Sequence, residues 1–535
     1  MSATSTTAVR IAAVRYGALR TALTLVGFGL RRDRWLLVVW VLVMGLLPAG
    51  VAVATPASYP DQAARDVFAA ESAAVPSQVA ARGPIFAATV GGLVAWTTAS
   101  SGSLVMGVAA ILMVIRHTRG DEQAGRTELL AGRPAGRTVR LLAALAVPAI
   151  GCLGVGVVAA VGLLLCQLPV PGSLLLGALL TGSGLVYLGA GALAGQVAQS
   201  PAVARGLGIA FVGVTFAVAA VGDLAGTGLV WASPLGWARH AEAFVLDRGW
   251  VVGLQLLLAL LLVGAAVLVS GVRDHASGIV PERRGRSGAT RWLTGSLALA
   301  WRRQRTVVLV WALGLGVLGL LLGSVVGGLD RQLDTPAFRD FAARIGNGDV
   351  AQVFFQFVVY VLAQVATAAA LGAAQTMRAD EVTTVSETQL GRPVTRWRWA
   401  GSHLAISCLV GICALGALGL GAAISTGTPG LLITTLTYLP AVLVVVALQV
   451  AVFGWWPRAA VPVSWAVLAL LLVLDLLGEF SLVPAQVMDL SPYALSFAVV
   501  LGTSASASLL TPLVVAAVLV SIGVVGLRRR DLAFG

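Results

Sequence analysis

The chain contains no lysine: all 36 of its basic side chains are arginine, set against 23 acidic ones, and only 4 cysteines and 4 histidines occur in 535 residues. Without lysine there is no GxxxxGK[ST] loop, so the chain has no P-loop lysine to hold a nucleotide phosphate. His117, His240, His275 and His403 are scattered and form no HExxH or similar metal-ligand cluster, and no serine sits in a GxSxG elbow. Cys152, Cys166, Cys408 and Cys413 lie in apolar runs without CxxC spacing and read as small buried hydrophobes. Charged residues make up only 11% of the chain, where a soluble domain has about 25%. No catalytic constellation and no metal site follow from these residues, and no inter-span segment has room for a soluble nucleotide-binding domain.

What is abundant is apolar. The chain is 58% hydrophobic, with a mean hydropathy of +0.92. Apolar runs recur at about 20 residues, the length of a helix that crosses a bilayer. They do not alternate with polar residues as membrane β-strands would. The fold class expected is an all-α polytopic membrane protein of about 12 transmembrane helices. The runs fall near 35–55, 92–115, 141–166, 172–195, 204–222 and 250–271, then 306–327, 352–377, 400–425, 431–454, 460–478 and 508–527. Residues 1–15 read as loose, and 16–34 as an amphipathic segment in the membrane interface that leads into a retained first helix rather than a cleaved signal. The divisions expected are 1–34, a first six-helix half 35–271, a basic linker and second interfacial segment 272–305, and a second half 306–535.

The net charge of +13 is a topology signal rather than a nucleic-acid footprint. With the N-terminus inside, 29 arginines fall on cytoplasmic segments and 7 outside (Arg65, Arg82, Arg239, Arg248, Arg331, Arg339, Arg344). Both termini are therefore expected in the cytoplasm.

One charged stretch occurs twice. RGDEQAGRTELLAGRPAGRTVR (Arg119–Arg140) aligns without a gap on RADEVTTVSETQLGRPVTRWRW (Arg378–Trp399). Asp121 matches Asp380, Glu122 matches Glu381, Glu128 matches Glu387, and Gly132-Arg133-Pro134 matches Gly391-Arg392-Pro393. The repetition extends outward. LRRDRWLLVVW (Leu30–Trp40) resembles WRRQRTVVLVW (Trp301–Trp311), Asp223-Leu224 resembles Asp475-Leu476, and Ser233-Pro234 resembles Ser491-Pro492. Two parallel six-span repeats are the simplest reading. Each charged copy reads as a short helix with acids at its start, favoured by the helix dipole, and a Gly-Arg-Pro stop; in the first copy Glu122 and Arg126 are four apart and can pair. Such a helix, with exposed acids and arginines at the membrane surface, suits docking into a groove on a soluble partner. A solvated loop that only fixes topology would not need the second copy.

RHTRGDEQAGRTELLAGRPAGR (Arg116–Arg137) resembles the loop after the second span in membrane subunits of ABC-2-type exporters. More specifically, the chain looks like the fused twelve-span permeases of actinobacterial antibiotic exporters, the tetronasin or polyketide-antibiotic type. The resemblance covers nearly the whole chain in architecture, with its specific wording in this loop. It implies a cytoplasmic coupling helix after the second span of each repeat that contacts a separate ABC ATPase, two copies per chain, which would hold the ATP and Mg. The chain itself would bind no cofactor. The contact residues implied are Asp121, Glu122, Arg126, Glu128, Arg133, Asp380, Glu381, Glu387 and Arg392. Gly125-Arg126 becomes Thr384-Val385 in the second copy, so the two docking points need not be equal.

The eighth run carries Gln352, Gln356, Tyr360, Gln364 and Thr367, which fall within about a 120° arc of a helix. Gln356 and Tyr360 align with Thr97 and Ser101 in the second run. These groups read either as the mildly polar wall of a pathway for hydrophobic or amphiphilic small molecules, or as hydrogen bonds between helices. Asp223 and Asp475 end their apolar runs and read as hydrated acids or as parts of an outer gate. The functional expectation is the permease of an ATP-driven drug exporter in the plasma membrane. The alternative is a proton-coupled secondary transporter of the major-facilitator kind, opposed by the long charged loops and by the lack of a carboxylate deep in any run. A membrane-embedded transferase lacks a catalytic constellation.

The arginine distribution makes a direct prediction. A fluorescent protein fused to the C-terminus should fluoresce and a phosphatase fused there should be inactive, while the same reporters inserted into 56–91 should behave oppositely; matching behaviour at both sites would refute the topology.

Overall fold

The computed structural model describes residues 3–73, 76–123, 125, 126, 136–272, 288, 291, 293, 295–326, 350–382, 385–391, 393–479, 485–502 and 504–530, with the backbone alone described at 3–19, 76, 77, 324–326, 350–354, 476–479, 485 and 506. The regular structure among them is helical, with no β-strand. Among the described residues eleven helices are long and apolar enough to cross a membrane, and the apolar part of another, Ala460–Asp475, is shorter. That helix is the eleventh in chain order, so the twelve runs are all present as helices. The chain separates into two compact units, Met1–Gly285 and Arg286–Gly535.

The N-terminal region departs from expectation. Ala3–Ser58 is one helix with no break between an interfacial piece and the first span. Residues 16–34 contain no Gly-Pro or Asn-Gly signal to stop a helix, and charge alone does not. Pro48 and Pro56 lie inside the helix; in a membrane, neighbouring groups can satisfy the carbonyls that a proline frees. Likewise Ser296–Val326 is unbroken, so 296–305 is no separate interfacial segment. Residues 273–287 of the basic linker lie outside the described residues. The loop 56–91 contains two short helices, Gln62–Ala73 and Pro76–Arg82.

Within each unit the same helix pairs pack. In the first, span 1 lies along span 3 (Arg137–Leu165), and span 4 (Val170–Val197) touches spans 2, 3 and 6. In the second, span 7 lies along span 9 (Arg396–Thr426), and span 10 packs on span 12 (Leu510–Arg529). Composition decides which helices are central. Span 4 is rich in Gly, Ala and Ser, and 78% of its apolar window is buried; span 6 (Trp250–Val272) is Leu-rich, and only 22% of its window is buried. Small residues let backbones approach, and that close packing drives helix association in lipid, where apolar side chains gain nothing by leaving the acyl chains. A Cβ on Gly156 would strike Thr181 and the backbone of Gly177, and one on Gly177 would strike the backbone of Gly156. Buried hydroxyls add polar ties. Ser103 donates to Ser183 (2.9 Å), which also accepts from Gln255 (3.1 Å), joining spans 2, 4 and 6.

These contacts predict that Gly156→Val costs about 3 kcal/mol through backbone overlap. Gly213→Val on span 5, where a Cβ meets nothing within 4 Å, should leave thermal stability in detergent unchanged. Equal melting temperatures for the two variants would contradict the packing.

Candidate functional site

The repeated charged stretch does not begin in a loop. In the first unit the second span, Val90–Ile115, runs on through a π-helical turn, Arg116–Gly120, into Asp121–Gln123. The wider turn brings Arg116, His117, Arg119 and Asp121 against the N-terminal ends of spans 1 and 5. Arg32 on the first span donates to both oxygens of Asp121 (3.0 and 3.1 Å). Its other terminal nitrogen lies 3.1 Å from His117 Nδ1. Asp33 takes Arg116 on Oδ1 (2.6 Å) and lies 2.8 Å from His117 Nε2. Arg119 is buried; it pairs with Glu122 (2.8 Å) and donates to the carbonyls of Gly195 and Gln196 at the end of span 4.

The second unit repeats the plan with fewer charges. Arg303, the counterpart of Arg32, donates to Asp380 (2.7 Å). Gln304 stands where the first unit has Asp33 and donates to Thr376 (2.9 Å), which stands where the first unit has His117. His403 enters from span 9, within 3.0 Å of Thr376 Oγ1 and 3.5 Å of Asp380 Oδ2. Arg378 pairs with Glu381 (3.1 Å), as Arg119 does with Glu122. Arg530 then reaches back from the end of span 12 to both oxygens of Glu381 (2.6 and 3.3 Å), while Arg396 holds the Arg530 carbonyl (2.7 Å). A crevice of about 110 Å³ lies beside Arg32, His117 and Asp121, and one of about 130 Å³ beside Arg303, Thr376, Asp380 and His403.

The expected docking residues therefore divide. Asp380 and Glu381 are not exposed acids: both are buried in ion pairs. Asp121 and Glu122 are mostly covered. Arg126 pairs with Asp121 (2.7 Å) and Glu122 with Arg119, because the helix stops at Gln123 and Gly125 takes a positive φ, so Glu122 and Arg126 do not share a continuous helix. Arg126 and Glu387 are exposed. Glu128, Arg133 and Arg392 lie outside the described residues. The missed partners are Arg32, Arg303 and Arg530. The first two sit in the LRRDRW and WRRQRT repeat, which signalled a shared entry into the membrane without naming what the arginines would meet.

The polar stripe is mostly packed inward. Tyr360, Gln364 and Thr367 are buried. Tyr360 stacks on Phe497 (4.9 Å), Gln364 donates to Asp475 (2.9 Å), and Tyr493 donates to Thr367 (2.6 Å). These are ties between helices. Gln356 and Thr97 are half-buried, and Ser101 is exposed. The side chain of Gln352 lies outside the described residues.

Asp223 and Asp475 are not hydrated surface acids. The side chain of Asp223 has no exposed area and binds Arg239 (2.7 Å) and His240 Nε2 (2.6 Å). Arg239 also donates to Ser100 (3.0 Å) and to the carbonyls of Ala81 (2.8 Å) and Ala80 (3.2 Å), clasping the loop helix Pro76–Arg82 over spans 2 and 5. Burial pushes the Arg239 guanidinium down from its ordinary range, and the hydrogen bond and charge of Asp223 oppose that. Asp475 is buried as well. Among the described residues no group of His, Cys, Asp and Glu could hold a metal ion.

Comparison with known proteins matches residues 293–528 to the family model "Multidrug efflux system permease Rv1217c, C-terminal domain". The chain is 35% identical over 514 residues to the multidrug efflux system permease protein Rv1217c of Mycobacterium tuberculosis (strain ATCC 25618 / H37Rv), covering 94% of this chain and 93% of the relative.

Removing one partner of a buried ion pair leaves an uncompensated charge, at a cost of about 3–5 kcal/mol. Arg530→Ala leaves Glu381 with Arg378 alone and should lower thermal stability, and Arg378→Ala/Arg530→Ala, which strands Glu381, should lower it by that larger amount. Arg126→Ala, at an exposed pair, should change melting little.

Proposed function

The chain belongs to the family of the multidrug efflux permease Rv1217c, and from that premise we propose that it is the membrane permease subunit of an ATP-driven, ABC-2-type exporter. It would move hydrophobic or amphiphilic, antibiotic-like molecules out of the cell across the plasma membrane, with both termini cytoplasmic. It carries no catalytic centre of its own. ATP and Mg would sit on a separate ATPase, one copy docked at each repeated charged segment.

One observation supports this reading above the others. Each unit fastens the Asp-Glu pair after its second span by the same two contacts, one arginine from the preceding span of the unit and one arginine three residues before the glutamate. A docking element must pass a displacement to the spans it serves. A segment held by ion pairs at the end of a continuous helix does so, whereas a loop tied only by its chain ends would yield. Closure of an ATPase dimer would then pull spans 1 and 2 of one unit, and spans 7 and 8 of the other, through these pairs. The exposed Glu387, with its repeat counterpart Glu128, would meet the ATPase, and the buried Asp380 and Glu381 would hold the element in place.

The test is co-purification of this chain with a candidate ABC ATPase in mild detergent, followed by ATP hydrolysis. Glu128→Ala/Glu387→Ala should lose capture or stimulation of the ATPase while keeping the wild-type melting temperature. Stable permease that binds no ATPase, with drug efflux driven by a proton gradient alone, would falsify the proposal.

A further inference from the structure

Asp223 and Asp475 hold equivalent places, each before a serine that caps a short helix: Ser233 for Pro234–His240 and Ser491 for Pro492–Val500. In the first unit both carboxyl oxygens meet nitrogen donors on that helix, Arg239 and His240. Counting the same distance from Ser491, the second unit has Phe497 and Ala498 instead. Phe497 turns its ring onto Tyr360. Asp475 therefore has no cation from the matching helix.

Among the described residues the other elements packed around it supply none either. Span 8 (Val350–Ala374) and span 10 (Leu439–Trp455) contain no Arg, His, Asp or Glu, and the helix Pro492–Val500 contains none. Their titratable groups are the tyrosines Tyr360 and Tyr493, joined by Tyr438 at the start of span 10. On the helix of Asp475 itself the only other ionisable residue is Glu479, whose side chain is outside the described residues. Gln364 donates to Asp475 Oδ2 at 2.9 Å, and the hydroxyls of Tyr360 and Ser491 approach the carboxyl. Two acceptors remain: Asp475 Oδ1 and Gln364 Oε1 are both shut off from solvent without a hydrogen bond of normal geometry. Gln364 is itself 4% exposed.

A buried carboxylate with no cation is costly, and two orphan acceptors add to the cost. One proton resolves both. On Oδ1 it removes the charge and turns an orphan acceptor into a donor, while the remaining orphan is the oxygen of the carboxamide already bonded to Oδ2. An acid and a primary amide pair head to head in this way, N–H to one carboxyl oxygen and O–H back to the amide oxygen. We propose that Asp475 is a protonation site carried as the neutral carboxylic acid in a head-to-head pair with Gln364, while its repeat counterpart Asp223 is a carboxylate neutralised by Arg239. The two units thus hold equivalent acids in opposite charge states. Loss of the proton would place an uncompensated charge between span 8 and the helix Pro492–Val500 and loosen the Tyr360–Phe497 stack. The inference holds whatever energy source drives transport.

Infrared difference spectroscopy of the purified full-length chain in lipid tests it. Wild type minus Asp475→Asn should show the carbonyl band of a protonated carboxylic acid, shifted in heavy water, and wild type minus Asp223→Asn should show a carboxylate band instead. Asp475→Asn resembles the neutral acid and should melt with wild type, whereas Asp223→Asn strands Arg239 and should melt about 5 °C or more lower. Should Asp475→Asn not fold, Asp475→Glu, which keeps the acid, should retain the band at a shifted position. A carboxylate band lost in Asp475→Asn overturns the proposal. If the wild type then also melts higher in sodium chloride than in choline chloride, the orphan oxygens hold a cation rather than a proton.

Discussion

In each half an arginine on the first span grips the aspartate that ends the second, and the rest of the charged end is arranged around that grip. Asp121 and Asp380 sit where an apolar helix meets polar surroundings, too covered to be hydrated and too polar to be left alone. Arg32 and Arg303 satisfy them from the neighbouring helix. The pairing fixes the height and rotation of the second span relative to the first. It also decides which neighbouring groups face outward. With Asp380 and Glu381 turned in, the exposed acid left on the second copy is Glu387.

Around this common grip the halves diverge in one direction. The first uses charge where the second uses neutral groups: Asp33 and His117 against Gln304 and Thr376, Arg239 and His240 against Phe497 and Ala498. Among the described residues the second adds charge where Arg530 returns to Glu381. Duplicated halves need equal frames to pack alike, and the shared pairings of spans 1 with 3 and 7 with 9 supply them. Their polar interiors have been free to differ, so equivalent positions can hold different protonation and respond differently to the same pull.

The class of fold was legible in the sequence because run length and hydropathy are direct consequences of the bilayer. The repeat was legible because its acids and its Gly-Arg-Pro recur at the same spacing without a gap. What stayed hidden were partners distant in sequence. The arc of Tyr360, Gln364 and Thr367 was visible from periodicity, but periodicity names a face and not what packs on it; here the face meets Asp475 and Tyr493, more than a hundred residues on. Glu122 and Arg126 have ideal helical spacing, but the helix ends at Gln123 and Gly125 turns to a positive φ, so each finds another partner. The arginines at Arg31–Arg34 suggested a boundary between interface and membrane, yet the helix runs through them because nothing in that stretch stops one. Asp223 looked hydrated because the arginine that covers it lies 16 residues later, across a loop.

The account rests on the first-span arginine acting on the second-span aspartate, and a double-mutant cycle measures that directly. Arg303→Ala, Asp380→Ala and the double variant, unfolded in the same detergent, should give a coupling free energy of about 2 kcal/mol, with the double variant more stable than the two single losses combined would allow. The Arg32–Asp121 cycle should agree in sign. Additive losses in both cycles would mean that the two groups are neighbours without being partners, and the mechanical link between the docking segment and the spans would fail with them.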